Sequence, residues 1–168
     1  VGSEMCIRDR SGTNLNDISK MAFQGCTGLT GVILPSSLTS IGNASGGSVF
    51  KDCRSLQFIR TADGDPDAVF ELPPNLTCIM GYAFQNCFAD GVDAKVVIPA
   101  SVETIGSEAF YDSHISQIVV KKRGKGGWNS ILGPYDGSAF KTGNDNLVII
   151  FNDEKSYSDY KLSLIHIS

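Results

Sequence analysis

The chain has 168 residues, 42% of them apolar, and a formal net charge of −4, which is enough apolar material for the core of one domain. The acidic balance gives no electrostatic argument for a nucleic-acid partner. No apolar run approaches the length that spans a bilayer, so no membrane insertion is expected.

The chain opens VGSEMCIRDR and closes LSLIHIS. Back-translated with permitted codons, the closing stretch can be written CTG TCT CTT ATA CAC ATC T, the reverse complement of the end of a permitted coding of the opening stretch. Two unrelated protein segments have no reason to be complementary in this way, and the shared string resembles a transposase-based sequencing adapter. Residues 1–10 and 162–168 are therefore read as translated adapter and set aside from fold reasoning. Cys6 and His166 then carry no ligand role, and Leu162 to Ile167 is no anchor. Residues 11–161 are expected to be an internal piece of a longer gene, with capping repeats and any export signal outside it.

Within that piece one unit recurs, and self-similarity decides the fold before local propensity does. Met21-Ala22-Phe23, Ser48-Val49-Phe50, Tyr82-Ala83-Phe84, Glu108-Ala109-Phe110 and Ser138-Ala139-Phe140 are its successive turns. Three residues after each phenylalanine stand Cys26, Cys53, Cys87, Ser113 and Gly143, a position that takes only small residues. Five residues before come Ile18, Ile79 and Ile105; for Phe50 and Phe140 the isoleucine lies nine back, at Ile41 and Ile131, so those copies carry a four-residue insertion. After each turn come apolar pairs two apart: Val32 and Leu34, Ile59 with Thr61, Val96 and Ile98, Ile118 and Val120, Ile149 and Phe151. Period two is strand periodicity.

The unit AFxxCxxLxxIxLPxxLxxIG, carried by Ala22-Phe23, Cys26, Leu29, Val32, Leu34-Pro35, Leu38 and Ile41-Gly42, resembles the leucine-rich repeat of the BspA type. After insertions, Leu72-Pro73-Pro74-Asn75-Leu76 and Ile98-Pro99-Ala100-Ser101-Val102 restore the proline step. The resemblance implies a β-rich repeat solenoid over residues 11–161, a right-handed coil with a parallel sheet on its concave face and about five repeats. It also implies a non-enzymatic binding or adhesion module of a surface or secreted protein, extracellular or displayed on the cell.

Physical reasoning reaches the same coil. A unit this short cannot bury its own apolar residues, so neighbours must stack and share one core. Leu29, Val32 and Leu34 are expected inward from one strand, and Leu38 and Ile41 inward from the returning side. Pro35 closes the strand because it cannot donate to a ladder. Gly42 and Gly106 fit corners where a side chain would obstruct the backbone. The phenylalanines should form an internal stack of rings.

No catalytic constellation is apparent, and no cofactor or metal is expected. Cys26, Cys53 and Cys87 read as small buried thiols in a ladder, reduced rather than bridged, and with Cys78 they lack zinc-type spacing. For His114 no catalytic partner follows from the spacing, and it reads as a solvent-facing turn residue. Asp63, Asp65 and Asp67 alternate as in a calcium loop but lack the downstream glutamate and glycine register, so a solvated insertion is expected. The basic run from Lys121 to Lys125, ending at Trp128, reads as an exposed loop. Asn43-Ala44-Ser45 and Asn75-Leu76-Thr77 match glycosylation acceptors, relevant only to a secreted eukaryotic protein.

If Val32 and Leu34 face the core, their neighbours face outward. One outward row is then Ile33, Arg60, Val97, Val119 and Ile150, and the other is Gly31, Phe58, Lys95, Gln117 and Val148. A solvated sheet face should not be this apolar, although β-branched residues also favour strands for their own sake. These rows are the expected face for a protein or glycan partner, with Phe58 and Arg60 as anchors. An intracellular interaction scaffold, or a repeat that targets a longer enzyme, remains open as an alternative.

Overall fold

The computed structural model describes residues 3–6, 15–120 and 148–151. Its strands are β1 (Ser3–Cys6), β2 (Asp17–Ile18), β3 (Leu29–Leu34), β4 (Ser40–Ile41), β5 (Phe58–Thr61), β6 (Cys78–Ile79), β7 (Ala94–Ile98), β8 (Thr104–Ile105), β9 (Ile115–Val120) and β10 (Val148–Phe151). Among the described residues no helix forms. Every strand pairing is parallel, as stacking of like coils requires.

The short strands make one side of the coil, in the order β2-β4-β6-β8. Their ladder places Ile18, Ile41, Ile79 and Ile105 in line, all buried. The long side runs β1-β3-β5 and then β7-β9-β10. Phe70 joins the two halves, bridging Ile59 on one side and Val96 on the other. The chain therefore lays down two strand rungs in the second coil: Ile59 with Thr61, then Phe70 with Leu72, before Pro73 ends the strand. Strand β1 lies in the stretch read as adapter-derived; its pairing needs only extended backbone against the open edge of β3.

The phenylalanine turns supply the third side. Main-chain N–H groups of Met21, Phe23 and Gly25 donate to Gly47, Val49 and Lys51 of the next coil at 2.8–3.0 Å. Phe50 and Phe84 repeat the pattern on Ala83 and Ala109. To aim those groups along the stack the backbone turns left-handed at two places per coil. Two residues before each ring the φ values are 59° at Met21, 58° at Ser48, 59° at Tyr82 and 52° at Glu108. Two residues after it stand Gly25, Asp52, Asn86 and Asp112, also at positive φ, where glycine, asparagine and aspartate are favoured.

The core follows the sequence expectation. Leu29, Val32, Leu34, Leu38 and Ile41 are all buried. Phe23, Phe50, Phe84 and Phe110 stack with centroid separations of 5.4, 5.7 and 5.5 Å and nearly parallel planes. Such separations are the offset stacking that aromatic quadrupoles favour. Phe70 wedges edge-on against Phe84 and Phe110 of this stack, and Phe88 tilts against Phe70. The fifth turn, with Ile131, Phe140 and Gly143, lies outside the described residues, as does the basic run from Lys121 to Trp128.

At the corners, Gly42 has φ +93° and a Cβ there would sit 2.6 Å from the Met80 side chain. A Cβ on Gly106 would meet the Gly81 nitrogen at 2.3 Å. The four-residue insertion before Phe50 is a tight hairpin, with Asn43 and Gly46 exchanging main-chain hydrogen bonds.

Candidate partner-binding face

The strand register places the two outward rows as the alternation requires. Gly31 pairs with Phe58 and Ile33 with Arg60; Lys95 pairs with Gln117 and Val97 with Val119; Val148 and Ile150 continue both rows beside Gln117 and Val119. The row residues missed from sequence are Val69 and Glu71, which flank Phe70 on the extra rung and lie between Phe58 and Lys95, and between Arg60 and Val97. Their signal was present, because Phe70 and Leu72 sit two apart immediately before Pro73.

The two halves of the face differ. Towards β10 it is open: Val97 is 39% exposed, Val148 51% and Ile150 39%, and Lys95 is exposed with its ammonium 3.0 Å from Asp93. A hydroxyl hydrogen bond from Ser116 and the Lys95 ammonium hold the exposed Asp93 carboxyl below its usual range. Towards β3 the expected anchors are turned inward on the protein itself. The Phe58 ring lies over Gly31, and the Arg60 guanidinium stacks on that ring at 4.1 Å. Arg60 also donates through Nε to the Ala68 carbonyl at 2.6 Å. Phe58 and Arg60 therefore brace the insertion between Thr61 and Phe70.

That insertion is held by further side chains. Glu71 accepts from the Thr61 hydroxyl at 2.6 Å and from the Thr61 main-chain N–H at 3.3 Å. Asp63 accepts from the Ser36 hydroxyl at 2.8 Å, and Asp65 accepts from the Asp67 main-chain N–H at 2.9 Å. These carboxylates shape their own loop. Among the described residues no group of three or more His, Cys, Asp or Glu side chains could hold a metal ion.

The thiols serve the stack. Cys53 donates to the Phe23 carbonyl at 3.0 Å and Cys87 to the Phe50 carbonyl at 2.7 Å. Each thiol thus reaches the preceding coil, which explains why only small residues fit there. Cys26, Cys53, Cys78 and Cys87 are free. Burial pushes the Cys53 thiol up to about 12 and raises Cys87 as well, the direction of structural rather than reactive thiols. His114 sits on an exposed turn with Nδ1 3.1 Å from the Phe88 carbonyl and Nε2 3.3 Å from Asp90.

The family described as BspA type leucine rich repeat region matches in six copies, over residues 10–64 and 68–126. The chain belongs to this BspA-type leucine-rich-repeat family. The break in the match, at 65–67, falls within the insertion that Arg60 braces. Six copies exceed the count from phenylalanine turns, which recognises no unit without a ring; Phe70, Leu72-Pro73 and Leu76 supply a strand and proline step without such a turn. A solved structure, the leucine-rich-repeat protein of T. pallidum, is similar to this BspA-type chain with a TM-score of 0.55 and 26% identity, covering 90% of this chain and 70% of that one. No curated protein matches. Among the described residues no helix is long and apolar enough to cross a membrane. BspA-type repeats are typically non-catalytic interaction modules.

Proposed function

We propose that this chain is a non-enzymatic adhesion module of a surface-displayed or secreted protein, binding a protein or glycan partner through the outer face of its long sheet. The observation that carries the reading is the exposed apolar surface of Val97 on β7 and of Val148 and Ile150 on β10, the two strands that flank β9. Rigid β-branched side chains held by a parallel ladder bind at low conformational cost. Membership of the BspA-type family supports the extracellular setting.

The test is binding of the 168-residue chain to a panel of matrix glycoproteins and arrayed glycans. The comparison chain carries Val119→Thr, Val148→Thr and Ile150→Thr, which keeps β-branching and hence the strands. Loss of binding with an unchanged unfolding midpoint supports the reading, and equal binding by both chains rejects it.

A further inference from the structure

The insertion between Thr61 and Phe70 converts part of the outer face into a cavity of about 820 Å³. It is built in advance of any ligand: Arg60 to Ala68, Thr61 to Glu71 and Ser36 to Asp63 tie the insertion to two coils. A wall held in this way loses little entropy on binding.

The lining combines two chemistries. Asp63, Asp65 and Glu71 contribute carboxylates, and Val97, Pro99 and Pro74 contribute apolar surface. Lys95 is the single cation among the lining residues, and its ammonium is already 3.0 Å from Asp93. Three carboxylates against one paired ammonium give the lining a formal charge of −2, from −3 and +1. An anionic ligand is repelled by this lining. A neutral sugar finds no open aromatic face, because Phe70, the ring that lines the cavity, is 4% exposed and packed in the core.

We propose that this cavity takes an arginine or lysine side chain from an extended, basic peptide segment of the partner. The cationic head lies against Asp63 and Asp65, and the aliphatic stem runs along Val97 and Pro99, as long basic side chains commonly divide their two parts. This assignment rests on the reading of the outer face as the binding surface and adds the chemistry of the segment it selects.

The experiment uses a capped pentapeptide alternating glycine and arginine, a second with glutamate in place of arginine, and amide shifts of the 168-residue chain. The arginine peptide should move Ser36, Thr61, Ala100 and Ser101 with an affinity that falls as salt rises. Asp63→Asn with Asp65→Asn keeps both acceptor oxygens, and with them the insertion, while weakening binding roughly tenfold. Equal binding of the glutamate peptide, or unchanged affinity in the double variant, overturns the proposal. Shifts confined to Val119, Val148 and Ile150 overturn it too while leaving the broader face in place.

Discussion

The Phe58 ring occupies the space that any side chain at position 31 would need: a Cβ built on Gly31 falls 2.2 Å from the ring's Cζ. Arg60 stacks on the same ring and reaches the insertion through Ala68. One glycine on β3 thus bears on the position of the loop that follows the neighbouring strand β5. Gly31→Ala should displace Phe58 and release Arg60, costing about 1–3 kcal/mol as overpacking does. Phe58→Ala in the same chain should recover part of that loss, and a urea double-mutant cycle measures the coupling. Additive effects would mean that the ring does not rest on Gly31.

Deletion of a ring from the middle of the stack should be severe. Phe84 is fully buried and stacks on both Phe50 and Phe110, so Phe84→Ala should cost about 3–5 kcal/mol. Phe23→Ala should cost less, since Phe23 is only half-buried and stacks on Phe50 from one side. Equal unfolding midpoints for the two variants would contradict the stacked arrangement.

Left-handed backbone at Met21 is a removable strain. Its side chain is 49% exposed and its φ is 59°, a region that costs a non-glycine residue roughly 1–2 kcal/mol. Met21→Gly should leave stability unchanged or raise it by up to about 1 kcal/mol, the glycine entropy offsetting part of the relief. A loss above about 1 kcal/mol in urea unfolding would show that the Met21 side chain contributes packing absent from this account.

Cys53 makes stability depend on alkaline pH. Its thiol is raised by burial from 9.0 to about 12, so the folded state keeps a proton that the unfolded state releases. Its contribution is complete below pH 9 and is lost as pH rises toward 12. The fall in unfolding free energy between pH 8.5 and 10.5, both ordinary working values near the thiol range, should be smaller in Cys53→Ala than in the parent. At pH 8, roughly the low edge of that range, the half-buried Cys26 should react with a thiol reagent faster than Cys53 or Cys87. Equal rates would mean that the ladder opens readily.

The parts of the fold legible in sequence were those that every coil repeats. The rings of Phe23, Phe50, Phe84 and Phe110, the isoleucines of the short sheet and the small residues at Cys53, Cys87 and Ser113 recur because each occupies an identical place in a stack. What escaped was single-copy or purely conformational. Phe70 forms a rung without its own phenylalanine turn, so Val69 and Glu71 fell out of the outward rows. Met21, Ser48, Tyr82 and Glu108 share a backbone angle and no chemistry, and side-chain identity cannot announce that. The outward alternation put the residues it named in register with one another, yet it carried no sign that Phe58 and Arg60 would lean on Gly31 and Ala68.

The central claim is that the outer face of the long sheet receives the partner, and amide hydrogen exchange of the chain with and without a glycoprotein or glycan selected from the panel tests it most directly. Added protection is expected on β7, β9 and β10, at Lys95 to Val97, Gln117 to Val119 and Val148 to Ile150, with the turns at Tyr82 and Glu108 unchanged. Protection confined to the phenylalanine turns or to the short β2-β4-β6-β8 sheet would contradict it.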